Sequence, residues 1–189
     1  MKNNIEVEIC TFSLESCLNA QLAGASRVEL CSGMYDGGTT PSAAMIRMAR
    51  EKLSIQLYVM IRPRGGDFLY SDLEFEMMKE DIRFAKACRA NGVVLGILNA
   101  DGSVDVRRTR ELVELAAPLK VTFHRAIDMT RDMEEALEGI IEAGCYRVLT
   151  SGGRNTVNEG MERIKALVKQ AGGRVQIMAG SGVNAANAG

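Results

Sequence analysis

The chain has 189 residues, 47% of them hydrophobic and 25% charged, with a formal net charge of −1. That balance suits one globular domain and excludes both a disordered chain and a broad basic surface for nucleic acid or anionic membrane. No apolar run reaches the ~18 residues a membrane-spanning helix needs. Charges appear from Lys2 and Glu6 with no apolar signal region before them, so a cytoplasmic location without a membrane partner is expected.

Taken in chain order, short β-branched runs alternate with amphipathic helical patterns. The predicted strands are Ile5–Cys10, Arg27–Cys31, Ile55–Arg62, Gly92–Leu98, Leu119–Arg125, Arg147–Ser151 and Val175–Gly180. Between them, Ser13 caps a helix over Leu14–Ala23 and Ser42 one over Ala43–Lys52; Asp72 opens a long helix through Ala90. Asp105, Asp132 and Asn155 open helices that run to Ala116, Ala143 and Ala171. Ser, Asp and Asn accept hydrogen bonds from the free N–H groups of a first turn, which is why they mark these starts. Gly24, Gly92 and Gly144 fall just before strands, where a helix ends most easily in the left-handed conformation. Leu73, Met77, Ile82, Phe84 and Ala85 are apolar at near-helical spacing and read as core, and the eleven methionines read as gap-fillers. The residues from Val183 look like the opening of a seventh helix.

Strands alternating with helices require parallel pairing through crossovers. The expected fold is a TIM-type (βα)8 barrel in a single domain, incomplete with about seven βα units. Strands one and seven then each keep an unpaired edge, which invites self-association into a homo-oligomer. A doubly wound open sheet is the alternative, but Cys10-Thr11-Phe12-Ser13 stands where a glycine-rich dinucleotide loop would follow the first strand.

Polar chemistry gathers where these strands end, the usual functional rim of such folds. Side chains alternate along a strand, so Glu8 and Cys10 share one face, as do Glu29 and Cys31. In the obvious register two thiols and two carboxylates converge. Paired thiolates suit a soft ion such as Cu(I); zinc would need His124 or the carboxylates to complete it. Alternatively, both are reduced core thiols, the reading that fits Cys17, Cys88 and Cys145.

Arg62 and Arg64, in the run Arg62–Phe68, can grip a carboxylate or phosphate, or can serve a structural turn with Asp67. His124, the single histidine, could act as acid, base or ligand, oriented by Asp128 or a rim carboxylate such as Glu29 or Asp67; Arg125 either binds an anion or pairs with Asp128. The loops Ser151-Gly152-Gly153 and Gly180-Ser181-Gly182 offer N–H groups to an anion, or are plain tight turns.

Cys10, Val28–Gly33, Gly37–Ser42, Arg62–Phe68, Leu69–Ser71, Thr122–Asp128 and Leu149–Gly153 together closely resemble the copper homeostasis CutC family, over the whole chain. The resemblance implies a TIM-type barrel, a cytoplasmic location and copper binding. It also implies an eighth strand, a segment this chain lacks; Ile127 stands where the family has Phe, and Ser181 where Gly is common. Two functions follow: Cu(I) binding through Cys10 and Cys31, or an enzyme acting on a small phosphorylated or carboxylated metabolite at the same mouth.

Overall fold

A computed structural model describes residues 6–188. Ile5, the predicted start of the first strand, lies outside them. The elements run β1 (Glu8–Thr11), α1 (Leu14–Leu22), β2 (Arg27–Leu30), α2 (Ala43–Lys52), β3 (Gln56–Met60), α3 (Asp72–Ala87), β4 (Gly92–Leu95), α4 (Val106–Ala116), β5 (Lys120–Phe123), α5 (Met133–Glu142), β6 (Arg147–Thr150), α6 (Val157–Ala171) and β7 (Gln176–Ala179). Short 3-10 turns at Met34–Asp36 and Arg125–Met129 add to the elements expected from the sequence.

The chain forms two compact units, residues 6–67 with 72–94, and residues 68–71 with 95–188. In the first, β1 through β4 lie in sequential parallel order; in the second, β5 through β7 do. Neither order reverses, so there is no switch point of a doubly wound sheet. The fold is that of a TIM-type barrel, with seven strands and six helices among the described residues. Among the described residues β1 has one partner strand and so does β7.

The helix starts follow local chemistry. Ser13 Oγ accepts the Ser16 N–H (3.1 Å) while the Ser13 N–H donates to Ser16 Oγ (3.1 Å), a reciprocal cap. Ser42, Asp105 and Asp132 accept first-turn N–H groups at 3.2, 2.9 and 2.9 Å. The predicted cap at Asn155 is displaced to Thr156, because the Asn155 carbonyl accepts Ser181 Oγ (2.7 Å) from the loop after β7. After Val183 the chain makes a turn about Asn184–Asn187 rather than a seventh helix.

The apolar face of α3 is Phe75, Met78, Ile82 and Ala85, the true i, i+3, i+7, i+10 stripe. Leu73 and Met77 fall on the other side and are exposed, so the expectation of core there holds only for Ile82 and Ala85. The methionines divide likewise: Met60 and Met78 are buried, whereas Met34, Met129 and Met161 face solvent.

The predicted strands after the first end early at their C-terminal ends because loop contacts take over, whereas β1 runs one residue further than expected, to Thr11. The Arg62 N–H turns to Thr40 Oγ1 (2.9 Å) and the Leu98 N–H to the Phe68 carbonyl (2.9 Å). Gly24 and Gly144 end α1 and α5 with φ of 86° and 87°. Gly92 does not play that part for α3: it is the first residue of β4, and the left-handed position is held by Arg89 with φ 60°. A side chain there costs about 1 kcal/mol that glycine avoids.

Candidate metal centre

The register of β1 on β2 sets the first cluster. Cys10 lies level with Glu29, and Glu8 level with Arg27. Period-two alternation then carries Cys31, two residues past Glu29, onto the same face. The Cys10 and Cys31 sulfurs are 3.8 Å apart. With a Glu29 carboxylate oxygen they form a triad whose ligand atoms all lie within 4.8 Å of one another. Glu8 does not join it: its carboxylate takes the Arg27 guanidinium as an ion pair one level down the strands. That corrects the expectation of two carboxylates beside the thiols.

Cys31 is fully buried against Tyr58, Met60 and Val94, whereas Cys10 is exposed. Glu29 is buried, and its Oε1 has no hydrogen-bond partner among the described residues. Burial drives the Glu29 carboxyl well above the usual range, and the neighbouring charges of Cys10 and Glu8 push the same way. The hydrogen bond with Cys31 lowers the Cys10 thiol to about 7, against the opposing effect of burial. Cys31, as the donor of that bond and by burial, is raised. Of the two thiols Cys10 is therefore the one that ionises first, while Cys31 and Glu29 are biased toward their protonated forms. The two sulfurs suit a soft cation, while the Glu29 carboxyl oxygen is a hard donor beside them.

Gly38 was not singled out as a site residue, yet it shapes this centre. It has φ 96°, and a Cβ there would come within 3.3 Å of Cys31 Sγ and 3.5 Å of the Met60 methyl. Arg62 holds that turn: its guanidinium donates to the carbonyls of Asp36 (2.6 Å), Gly38 (2.9 Å) and Gly66 (2.8 Å). Arg64 reaches Glu74 (2.5 Å) and Asp67 (3.0 Å). The arginines predicted to grip an anion are thus engaged by the chain's own acceptors, and Asp67 serves Arg64.

The second unit holds a different cluster. Asp128 accepts Arg125 Nε (2.8 Å), Ser151 Oγ (3.0 Å), the N–H groups of Ser151 (3.1 Å) and Gly153 (2.9 Å), and the Thr150 hydroxyl. Burial opposes its charge, but the donors of Thr150, Gly153, Ser151 and Arg125 outweigh it and hold the carboxyl below the usual range. This carboxylate stands where the loop donors were expected to meet an external anion. Gly152 and Gly160 allow β6's loop to touch α6, since a Cβ on Gly160 would fall 1.8 Å from the Ser151 carbonyl oxygen. Gly180 packs on Leu149, Gly182 on Thr156, and Ser181 is bonded to Asn155.

His124 is buried beside Phe68, ring centroids 4.8 Å apart. Its Nδ1 accepts the Ala126 N–H (3.2 Å), so the neutral ring carries its proton on Nε2. Gly96 makes room for the ring, because a Cβ would lie 2.6 Å from it.

A family model described as CutC family matches residues 5–189. A family protein CutC of Chromobacterium violaceum is 53% identical over 181 residues, covering 96% of this chain and 73% of that protein. The human copper homeostasis protein cutC homolog is 48% identical over 185 residues, 98% of this chain and 68% of the homolog. The solved structure of CutC from Streptococcus agalactiae superposes with a TM-score of 0.92 at 38% identity, covering 97% of this chain and 90% of that one. An aldolase, QR15, shares the fold alone, with a TM-score of 0.73 at 17% identity over 97% of this chain and 84% of its own. The chain belongs to the CutC family of copper homeostasis proteins.

Proposed function

We propose that this protein binds Cu(I) between Cys10 and Cys31 as part of copper homeostasis in the cytoplasm. The observation that carries the reading is the sulfur pair 3.8 Å apart, beside a buried Glu29 whose Oε1 is unmatched. One sulfur is exposed and one buried, so an ion enters through Cys10 and is held against Cys31. Binding displaces the Cys31 proton and so strengthens as pH rises. Free thiols at all five cysteines suit a reducing compartment. The names of the human and murine relatives point to copper in the same direction.

The chain is also proposed to self-associate, supported by Tyr35 and Met34 standing fully or largely exposed on one turn; light scattering on the purified protein tests this. The enzyme reading is the weaker one, because Asp128, Asp36, Gly38 and Gly66 already take the arginine and N–H donors an anionic substrate would need.

The test is an anaerobic titration with Cu(I) against a chromophoric chelator. Wild type should take up the ion stoichiometrically, and Cys10→Ser with Cys31→Ser should lose it while keeping the fold. Undiminished uptake in the double variant would move copper elsewhere.

A further inference from the structure

The left-handed residue at the end of α3 is Arg89, in the place Gly24 and Gly144 hold after α1 and α5. Arg89 lines an open cleft of about 460 Å3 together with Arg50, Ser54, Ile55, Gln56 and Asn91. The cleft sits at the N-terminal ends of β3 and β4, so it is remote along the strands from Cys10 and Cys31, which lie at C-terminal ends.

Its chemistry is one-sided. No carboxylate lines it. Arg50 is fixed by the Leu53 carbonyl, the Ile55 carbonyl (3.1 Å) and Asn91 Oδ1 (2.8 Å). Asn91 Oδ1 accepts the Leu57 N–H as well (2.9 Å), which leaves the Asn91 amide nitrogen as the donor. Gln21 Oε1 accepts the Ser54 N–H (2.7 Å) and steadies that edge. The Arg89 guanidinium, by contrast, is exposed and has no hydrogen-bond or ion-pair partner among the described residues.

We propose that this cleft binds a small molecule through a phosphate or carboxylate group, with Arg89 as the anchor and the Asn91 amide beside it on a base held rigid by Arg50. Two guanidinium groups with no carboxylate among the lining residues favour an oxyanion over any cation, although Glu51 lies within electrostatic reach of Cys88 beside Arg89. The volume falls in the range of small-molecule sites and exceeds what a bare ion fills.

Arg89→Gly is the decisive variant. Glycine takes the same backbone conformation without strain, so the fold should be as stable as wild type or more so, with only the guanidinium removed. Isothermal titration with pyrophosphate and with citrate, at ionic strength matched by sodium chloride, should show binding by wild type and a loss of about tenfold or more in Arg89→Gly. Tighter pyrophosphate binding would indicate a phosphorylated ligand, tighter citrate binding a carboxylated one. The Asn91 side-chain amide resonances should shift on addition of the bound anion to wild type. Equal binding by the two proteins, or no binding of either probe by wild type, overturns the proposal.

Discussion

Glu29 in β2 and Asp128 in the turn after β5 both have carboxyls shielded from solvent, and their environments drive them in opposite directions. Asp128 receives donors from Arg125, Thr150, Ser151 and Gly153 and stays ionised. Glu29 lies beside two thiols, keeps an unmatched oxygen and is driven to hold its proton. Burial opposes both charges, more completely at Glu29, where neighbouring negative charges add to it; at Asp128 the donors outweigh it. A carboxylate that its own chain satisfies stabilises a fold. One left unsatisfied beside two sulfurs is a place for a proton or a cation.

The comparison breaks most visibly at Asp128. Asp128→Ala would strip the acceptor from two N–H groups, two hydroxyls and an arginine, a loss of about 3 kcal/mol. For a chain of this size that lowers Tm by roughly 6–12 °C, measured by calorimetry. Because the Asp128 carboxyl is held low, its contribution is present above the ordinary carboxylate range and fades as pH falls through the lowered value. The deficit of the variant should therefore shrink in acid; a deficit constant with pH would mean the charge is not what matters.

On the other side, Cys31 should be what makes Cys10 acidic. Alkylation of Cys10 in the wild type should follow a titration near pH 7. In Cys31→Ala the midpoint should rise toward an ordinary thiol, slowing the reaction at neutral pH by about tenfold. An unchanged midpoint would place the cause elsewhere.

The smallest effect belongs to Glu29. Its raised value means that the folded state keeps a proton the unfolded chain releases, so wild-type stability falls as pH rises from the ordinary carboxylate range toward that value. Glu29→Gln, neutral throughout, should lack this slope and stay within about 1 kcal/mol of wild type at neutral pH. A large loss instead would show that the ionised form is needed.

How far the sequence led can be judged residue by residue. Ser13, Ser42, Asp105 and Asp132 cap the helices expected of them because capping is a local matter of a few bonds. Cys10 and Cys31 meet because alternation along a strand is equally local. The level at which β1 meets β2 is not, and it sent Glu8 to Arg27 instead of to the thiols. The Ser151–Gly153 loop has the composition of an anion cradle, but which anion occupies it depended on Asp128 arriving from the turn after β5. Arg89 was hidden because glycine is the usual sign of a left-handed residue, and here that sign was Gly92, three residues too late.

Cu(I) held between two sulfurs has a distinctive ligand shell. X-ray absorption at the copper edge, on protein loaded with one equivalent of Cu(I) under anaerobic conditions, examines that bond directly. Wild type should show a first shell dominated by a pair of sulfur neighbours that vanishes in Cys10→Ser with Cys31→Ser. A first shell of nitrogen or oxygen in wild type, or a sulfur shell that survives in the double variant, would contradict it.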